Sequence, residues 1–205
     1  DFYGETFYLD KNSLIPRQDT ELLIDLVLKR YDKGSILNIL DLGTGSGVIG
    51  ITLSKLYPNS MITISDISSK ALNVANKNIK NHNVTNIRSL ESDWFDSFKE
   101  IELFDLILTN PPYISKDDDH LNNLELGYEP SNALVASKNG FADIFKIIDT
   151  SPRFLNSEGL LMIEHGHTQG NRVKNYFQQK SFNNIKQHRD INQKIRVTSA
   201  SKIKI

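Results

Sequence analysis

Short apolar runs alternate with segments of helical periodicity along most of the 205-residue chain. The apolar runs have the length and character of strands buried in a sheet, and the periodic segments place apolar residues on one helix face. Regular alternation predicts an α/β fold, with a mostly parallel seven-stranded sheet and helices on both faces. The predicted strands are residues 36–42, 61–65, 87–90, 104–108, a segment after Gly159, 185–189 and 195–199, and the predicted helices are a segment between a Thr20 cap and Gly34, 48–56, 69–81, 141–154 and 169–179.

A single domain is expected, because the 39% apolar residues are enough for one substantial core. We expect residues 1–34 to form a leader and a first helix that pack on a domain formed by residues 35–205. The apolar runs are too short to cross a bilayer, so no membrane span is predicted. A monomer is expected.

Composition also excludes several kinds of site. The chain contains no cysteine, which removes disulfides and thiolate metal ligands and is compatible with a cytoplasmic location. The five histidines show no spacing typical of a metal site, so no metal is predicted. A formal net charge of −1 gives no global electrostatic reason to expect direct nucleic-acid binding.

A glycine-rich turn follows the first core strand. Gly43, Gly45 and Gly47 stand where a side chain would block a ligand or the required backbone angles. Asp66 ends the next strand about twenty residues on, where a carboxylate can accept hydrogen bonds from ribose hydroxyls. The glycine pattern by itself also fits the dinucleotide site of a nicotinamide oxidoreductase, which therefore remains an alternative at this point.

Two features favour S-adenosylmethionine over a dinucleotide. The turn has the fuller form DLGTGSG at residues 41–47, and a second motif follows the fourth strand. Asp93 and Trp94 come after the third strand, where an acid and an indole could bind and cover an adenine. The sequence therefore predicts a cofactor site at the carboxyl edge of the sheet.

The tetrapeptide Asn110-Pro111-Pro112-Tyr113 ends the fourth strand, because adjacent prolines cannot continue a ladder. A planar amine or amide nitrogen is a poor nucleophile since its lone pair is delocalised, and an enzyme must orient it. The Asn110 carboxamide oxygen and the Pro111 carbonyl can each accept one N–H. The prolines stiffen the turn and Tyr113 offers a flat wall. A polar loop of roughly twenty-five residues follows, long enough to suggest function.

The sequence resembles the release-factor glutamine methyltransferases, the PrmC/HemK family of protein-(glutamine-N5) methyltransferases. Besides the turn and the tetrapeptide, the similarity includes the leader Phe2-Tyr3-Gly4, residues 14–21 (LIPRQDTE), residues 92–95 (SDWF), Glu129-Pro130, Ala133-Leu134 and Glu164-His165-Gly166. The resemblance implies a Rossmann-like class I S-adenosylmethionine-dependent methyltransferase fold. Gln18 departs from the proline usual in the family, and the family's small N-terminal helical domain is expected to be absent from this chain.

Carried over residue by residue, the resemblance implies that Gly43, Thr44, Gly45, Ser46 and Gly47 line the methionine and ribose side of S-adenosylmethionine. It also implies that Asp66 holds the ribose, and that Asp93 and Trp94 contact the adenine. Asn110 would bind cofactor and substrate, and Pro111, Pro112 and Tyr113 would complete a pocket for a glutamine. The substrate implied is the Gly-Gly-Gln loop of peptide-chain release factors.

Two alternatives remain open on the sequence. Methyltransferases that act on adenine N6 or guanine N2 of nucleic acids use similar tetrapeptides on flipped bases. A non-catalytic module that binds S-adenosylmethionine as a structural ligand would carry the same glycine turn. The acceptor that receives a methyl group distinguishes all three.

Overall fold

A computed structural model describes residues 1–11, 13, 15–99, 101–113 and 140–204. The polar loop predicted after Tyr113, the Glu129-Pro130 and Ala133-Leu134 pairs, and Leu14 of the leader lie outside these ranges. The helices are α1 (Glu21–Arg30), α2 (Val48–Leu56), α3 (Ser69–Asn81), α4 (Ala142–Thr150) and α5 (Gly170–Gln178). The strands are β1 (Asn38–Leu42), β2 (Met61–Asp66), β3 (Ile87–Glu91), β4 (Phe104–Thr109), β5 (Leu155–Glu164), β6 (Phe182–Arg189) and β7 (Ile195–Lys202).

The described strands form one seven-stranded sheet in the order β3-β2-β1-β4-β5-β7-β6. Strands β1 to β5 pair in parallel, and β7 runs antiparallel to both β5 and β6. The chain builds outward from β1 to β3 and then returns to place β4 on the other side of β1. This reversal opens a crevice at the carboxyl ends of β1 and β4, where α/β sheets bind ligands. The predicted sheet is confirmed.

Apolar side chains cover both faces of the sheet. Neighbouring residues of a strand point to opposite faces, so Ile39 joins one core cluster and Leu40 the other. The first cluster includes Leu23 of α1 and Ile49 of α2, and the second includes Ile144 of α4. Burial on both faces explains why the central strands read as continuous apolar runs rather than alternating ones.

The first helix differs from its prediction at both ends. Thr20 makes no side-chain cap for α1, because a 3-10 turn over Gln18–Thr20 leads straight into the helix and the Thr20 hydroxyl has another partner. The helix ends at Arg30, with Tyr31 already extended, so Gly34 lies beyond its end.

Two boundaries near β5 also differ. The helix predicted over 141–154 ends at Thr150, and Ser151–Arg153 form a 3-10 turn because Pro152 lacks an N–H and cannot continue an α-helix. Gly159 lies inside β5 and does not precede it. A Cβ there would lie 3.0 Å from the Phe104 carbonyl oxygen, so glycine permits a close backbone approach beside a register shift.

Candidate active site

A cavity of about 680 Å³ lies at the carboxyl ends of β1, β2 and β4. It brings together most of the residues that the sequence predicted for cofactor and substrate: Gly43, Thr44, Gly45, Ser46, Asp66, Asp93, Trp94, Asn110 and Pro112. Gly47, Pro111 and Tyr113 adjoin these residues without lining the cavity. The leader and first turn add Lys11, Pro16, Arg17 and Thr20 to its wall.

The glycine turn is held by the end of β2. The amides of Gly43 and Thr44 both donate to the Ser65 carbonyl, at 2.9 and 2.8 Å. Gly45 and Gly47 have φ values of +58° and +87°, a left-handed conformation that glycine adopts without strain. The turn therefore keeps one backbone shape between β1 and α2.

Asp41 supports this turn from below. Its buried carboxylate accepts hydrogen bonds from the Thr44 hydroxyl and from the Gly50 amide, the latter at 3.0 Å. Burial raises the pKa of Asp41 to about 6, and the two hydrogen bonds oppose the rise. The Thr44 hydroxyl therefore stabilises the turn. The sequence had predicted Thr44 only as a residue that lines the cofactor.

Asp66 is anchored by backbone amides. Gly45 donates to one carboxylate oxygen and Ser68 to the other, both at 2.9 Å. Burial raises the pKa of Asp66, and these hydrogen bonds oppose the rise. A carboxylate has about four acceptor positions, so Asp66, which lines the cavity, keeps acceptor capacity for a ligand hydroxyl.

Helix α4 holds the Asp93-Trp94 corner. The Trp94 indole N–H donates to the Asp143 carboxylate at 3.2 Å, and Lys146 pairs with Asp93 at 3.1 Å. The Trp94 ring faces the glycine turn, since a Cβ on Gly43 would lie 3.2 Å from it. Asp143 lines the cavity but was missed on the sequence, because nothing in the pattern of α4 marks it as different from a solvated acid.

Asn110 follows β4 and faces the leader. Its Nδ2 donates to the Thr20 hydroxyl at 3.1 Å, which leaves Oδ1 as the acceptor. The Tyr113 hydroxyl lies 3.4 Å from Oε1 of the buried Glu164 carboxylate. Burial strongly raises the pKa of the Tyr113 hydroxyl. From the sequence, Thr20 was predicted only as a helix cap and Glu164 only as part of a motif. Their contacts with the tetrapeptide depend on the tertiary fold.

The leader is tied to the cofactor side of the cavity through Asn78 of α3. The Asn78 carboxamide exchanges hydrogen bonds with the backbone of Tyr8 at 2.8 and 2.9 Å, and also donates to the Ser46 carbonyl at 2.9 Å. Lys11 and Arg17 follow in the leader and reach the cavity wall. The leader thus forms part of the wall of the site.

Comparison with known proteins identifies the family. The family model for the methyltransferase small domain matches residues 18–126. The release factor glutamine methyltransferase of Francisella tularensis subsp. tularensis is 40% identical over 97% of this chain and 70% of that protein. That of Escherichia coli is 37% identical over 97% of this chain and 71% of that protein. The chain belongs to the release factor glutamine methyltransferases. Membership decides against the nicotinamide oxidoreductase.

Solved structures show that the chain has the expected class I fold. A methyltransferase from Pyrococcus furiosus matches with a TM-score of 0.72 and 17% identity, over 98% of this chain and 90% of that chain. A T. thermophilus 16S rRNA N2 methyltransferase, solved with AdoMet and guanosine, matches with a TM-score of 0.69 and 16% identity. The match covers 92% of this chain and 44% of that chain. At such identities the likeness concerns the fold alone, and it confirms the predicted fold class.

Proposed function

We propose that this chain transfers a methyl group from S-adenosylmethionine to the N5 nitrogen of the glutamine in the Gly-Gly-Gln loop of peptide-chain release factors. The observation that carries the proposal is identity of 33 to 40% with release factor glutamine methyltransferases over about 97% of the chain. The Asn110 carboxamide lies in the same cavity as the glycine turn, which supports a methyl acceptor beside a cofactor site.

The cavity residues fit S-adenosylmethionine. Asp66 keeps acceptor positions for the ribose hydroxyls, and Trp94, fixed through Asp143, offers a flat surface for the adenine. The backbone of the glycine turn would line the methionine and ribose portions. Bound there, the cofactor supplies a methyl group activated by a sulfonium.

The tetrapeptide would orient the acceptor nitrogen. An amide lone pair is delocalised into the carbonyl, so attack requires the N–H2 group to be held with its lone pair directed at the electrophile. The Asn110 oxygen would accept one N–H, and the carbonyl of Pro111, which lies between the cavity residues Asn110 and Pro112, would accept the other. Both acceptors would favour the positive charge that grows on nitrogen. Water can accept the proton lost afterwards, because the charged nitrogen is strongly acidic.

A protein substrate agrees with the absence of a large positive charge. The formal net charge is −1, so the chain gains little from the phosphate contacts that dominate nucleic-acid affinity.

Within the described ranges, none of the helices is both long and apolar enough to cross a bilayer. We propose that the chain acts as a cytoplasmic monomer on release factors.

A transfer assay with labelled cofactor tests the proposal. The acceptors are a release factor, the same factor with its Gly-Gly-Gln glutamine changed to alanine, free glutamine, DNA and RNA. We expect label only in the unaltered release factor, and loss of that label with the Asn110→Ala enzyme. Label in DNA or RNA but not in release factor would establish the nucleic-acid alternative, free glutamine as an equal acceptor would refute loop recognition, and no labelled acceptor would favour the non-catalytic module.

A further inference from the structure

Gln169 is a buried polar residue in the turn between β5 and α5. Its side chain folds back, so that Oε1 accepts a hydrogen bond from the Gly166 amide at 2.8 Å. The Gln169 backbone amide donates to the Gly166 carbonyl at 2.9 Å. A Cβ on Gly166 would lie 3.1 Å from Gln169 Oε1, so glycine permits this close approach. Two hydrogen bonds to one residue hold the Gln169 carboxamide in place.

The other end of this carboxamide contacts the tetrapeptide. Gln169 Nε2 donates to the Tyr113 carbonyl at 3.0 Å, across 56 residues of sequence, and to the Gly140 carbonyl at 3.4 Å. A backbone amide only donates and a carbonyl only accepts, so these partners fix which end of the carboxamide carries the oxygen. Gln169 therefore joins the end of the tetrapeptide to the turn that follows β5.

Tyr113 is attached to the end of β5 a second time, through its side chain. Its hydroxyl donates to Oε1 of Glu164, the last residue of β5, at 3.4 Å. The two contacts are made at opposite ends of the residue, by the carbonyl and by the hydroxyl, so they restrict both the position and the tilt of the ring. This ring is the flat wall predicted for the planar amide of the substrate.

His165 fixes the turn to the sheet. Its buried ring has Nδ1 3.0 Å from the Gly166 carbonyl oxygen and Nε2 2.8 Å from the Thr198 hydroxyl of β7. The turn that holds Gln169 is therefore itself held by a neighbouring strand, and the Gln169 carboxamide is a rigid support.

We propose that Gln169 is a positioning residue, which holds the Tyr113 ring at the angle that the substrate amide requires. Attack by an amide nitrogen depends on its orientation, so a tilt of the wall lowers the rate of transfer and leaves the cofactor site unchanged. The inference rests on the proposed function for this catalytic consequence. The hydrogen bond between Gln169 and Tyr113 can be measured without methyl transfer.

Gln169→Glu tests the hydrogen bond at nearly constant shape. The variant keeps an oxygen for the Gly166 amide and puts an oxygen, in place of a donor, against the Tyr113 carbonyl. Gln187→Glu is the matched control, since Gln187 lies beside Gly170 at the start of α5 and its Nε2 makes no hydrogen bond within the described ranges. We expect Gln169→Glu to lower kcat about tenfold, as for loss of one buried hydrogen bond, with the cofactor Kd changed less than about twofold. Equal kcat for Gln169→Glu and Gln187→Glu overturns the proposal.

A double-mutant cycle shows whether Gln169 acts through the Tyr113 ring. Tyr113→Ala removes the ring and keeps the carbonyl. In that background we expect Gln169→Glu to lower kcat less than about twofold, because no wall is left to position. An equal loss in both backgrounds would give Gln169 a role that is independent of the ring and overturns the proposal.

Gly140→Ala disturbs the same contact from the opposite side. Its Cβ would overlap the Tyr113 carbonyl oxygen and lie 2.7 Å from Gln169 Nε2. Gly4→Ala is the control for backbone strain, since Gly4 has φ +77° against +81° at Gly140 and its Cβ would meet no atom within 4 Å. We expect kcat to be about tenfold lower in Gly140→Ala than in Gly4→Ala. Equal kcat in the two variants overturns the proposal.

NMR measures the hydrogen bond without catalysis. Tyr113 is the only tyrosine that precedes an isoleucine in the sequence, so isotopic labels on tyrosine carbonyls and isoleucine amides select this one carbonyl. We expect its carbon resonance to move upfield in Gln169→Met, which removes the donor without adding charge, and to stay in place in Gln187→Met. An unchanged resonance in Gln169→Met overturns the positioning role. The expected shift without any methyl transfer by the unaltered protein would instead remove only the proposed function.

Discussion

The buried Glu164 makes a quantitative prediction about stability and pH. Burial raises its pKa from 4.5 to about 7, so the folded protein holds this proton more tightly than the unfolded chain. The stabilisation is fully present below the unfolded pKa and is lost as the pH rises through about 7. At roughly 1.4 kcal/mol per pKa unit, the shift amounts to about 3 kcal/mol between acid and pH 8.

Glu164→Gln isolates this contribution, because glutamine keeps the shape and carries no charge. Urea unfolding of both proteins at pH 5 to 8.5 gives the difference in the free energy of unfolding, in which the other titrating groups cancel. We expect the variant to gain about 2–3 kcal/mol relative to the unaltered protein as the pH rises over this range. A difference that does not change with pH would refute the reasoning, because the carboxyl would then titrate alike in both states.

Three further substitutions test the site and the turn. Asn110→Ala should lower kcat at least about 100-fold by transfer assay and change the cofactor Kd by less than about threefold, since the lost acceptor acts on the reacting nitrogen; near-normal kcat would contradict this role. Asp66→Ala should weaken cofactor binding about tenfold or more by calorimetry, the loss of charged hydrogen bonds, whereas unchanged affinity would exclude a ribose contact. Gly50→Ala should cost about 1–3 kcal/mol of unfolding free energy, because its Cβ would overlap the Ile64 side chain, while the control Gly34→Ala meets no atom within 4 Å; equal stability of the two would show that the packing of α2 tolerates the added methyl group.

The sequence predicted the sheet well because its signals are local. The buried strands read as apolar runs, and Ser69–Asn81 was predicted to its ends from its apolar stripe. The predicted boundaries were wrong at Arg30, Thr150 and Gly159. Pro152 was visible in the sequence and could have marked the end of α4.

The sequence predicted the parts of the candidate site in which the backbone conformation requires a particular residue type. Glycine in the turn permits positive φ angles without strain, and adjacent prolines after β4 cannot continue a strand, so these motifs are recognisable without a structure. Asp143 carries no such mark. Its importance comes from the Trp94 indole, which lies 49 residues away in the chain.

By itself, the amino-acid sequence determined the fold class, the glycine turn and the tetrapeptide, because apolar periodicity and the steric limits of glycine and proline act between neighbouring residues. Only the tertiary structure decided which polar groups meet. The sheet order puts the ends of β4 and β5 side by side, and the leader folds over them, so that Thr20 lies against Asn110 and Tyr113 lies close to Glu164. Hydrogen bonds are directional and short, and the partner of a buried polar group is therefore set by the packed fold.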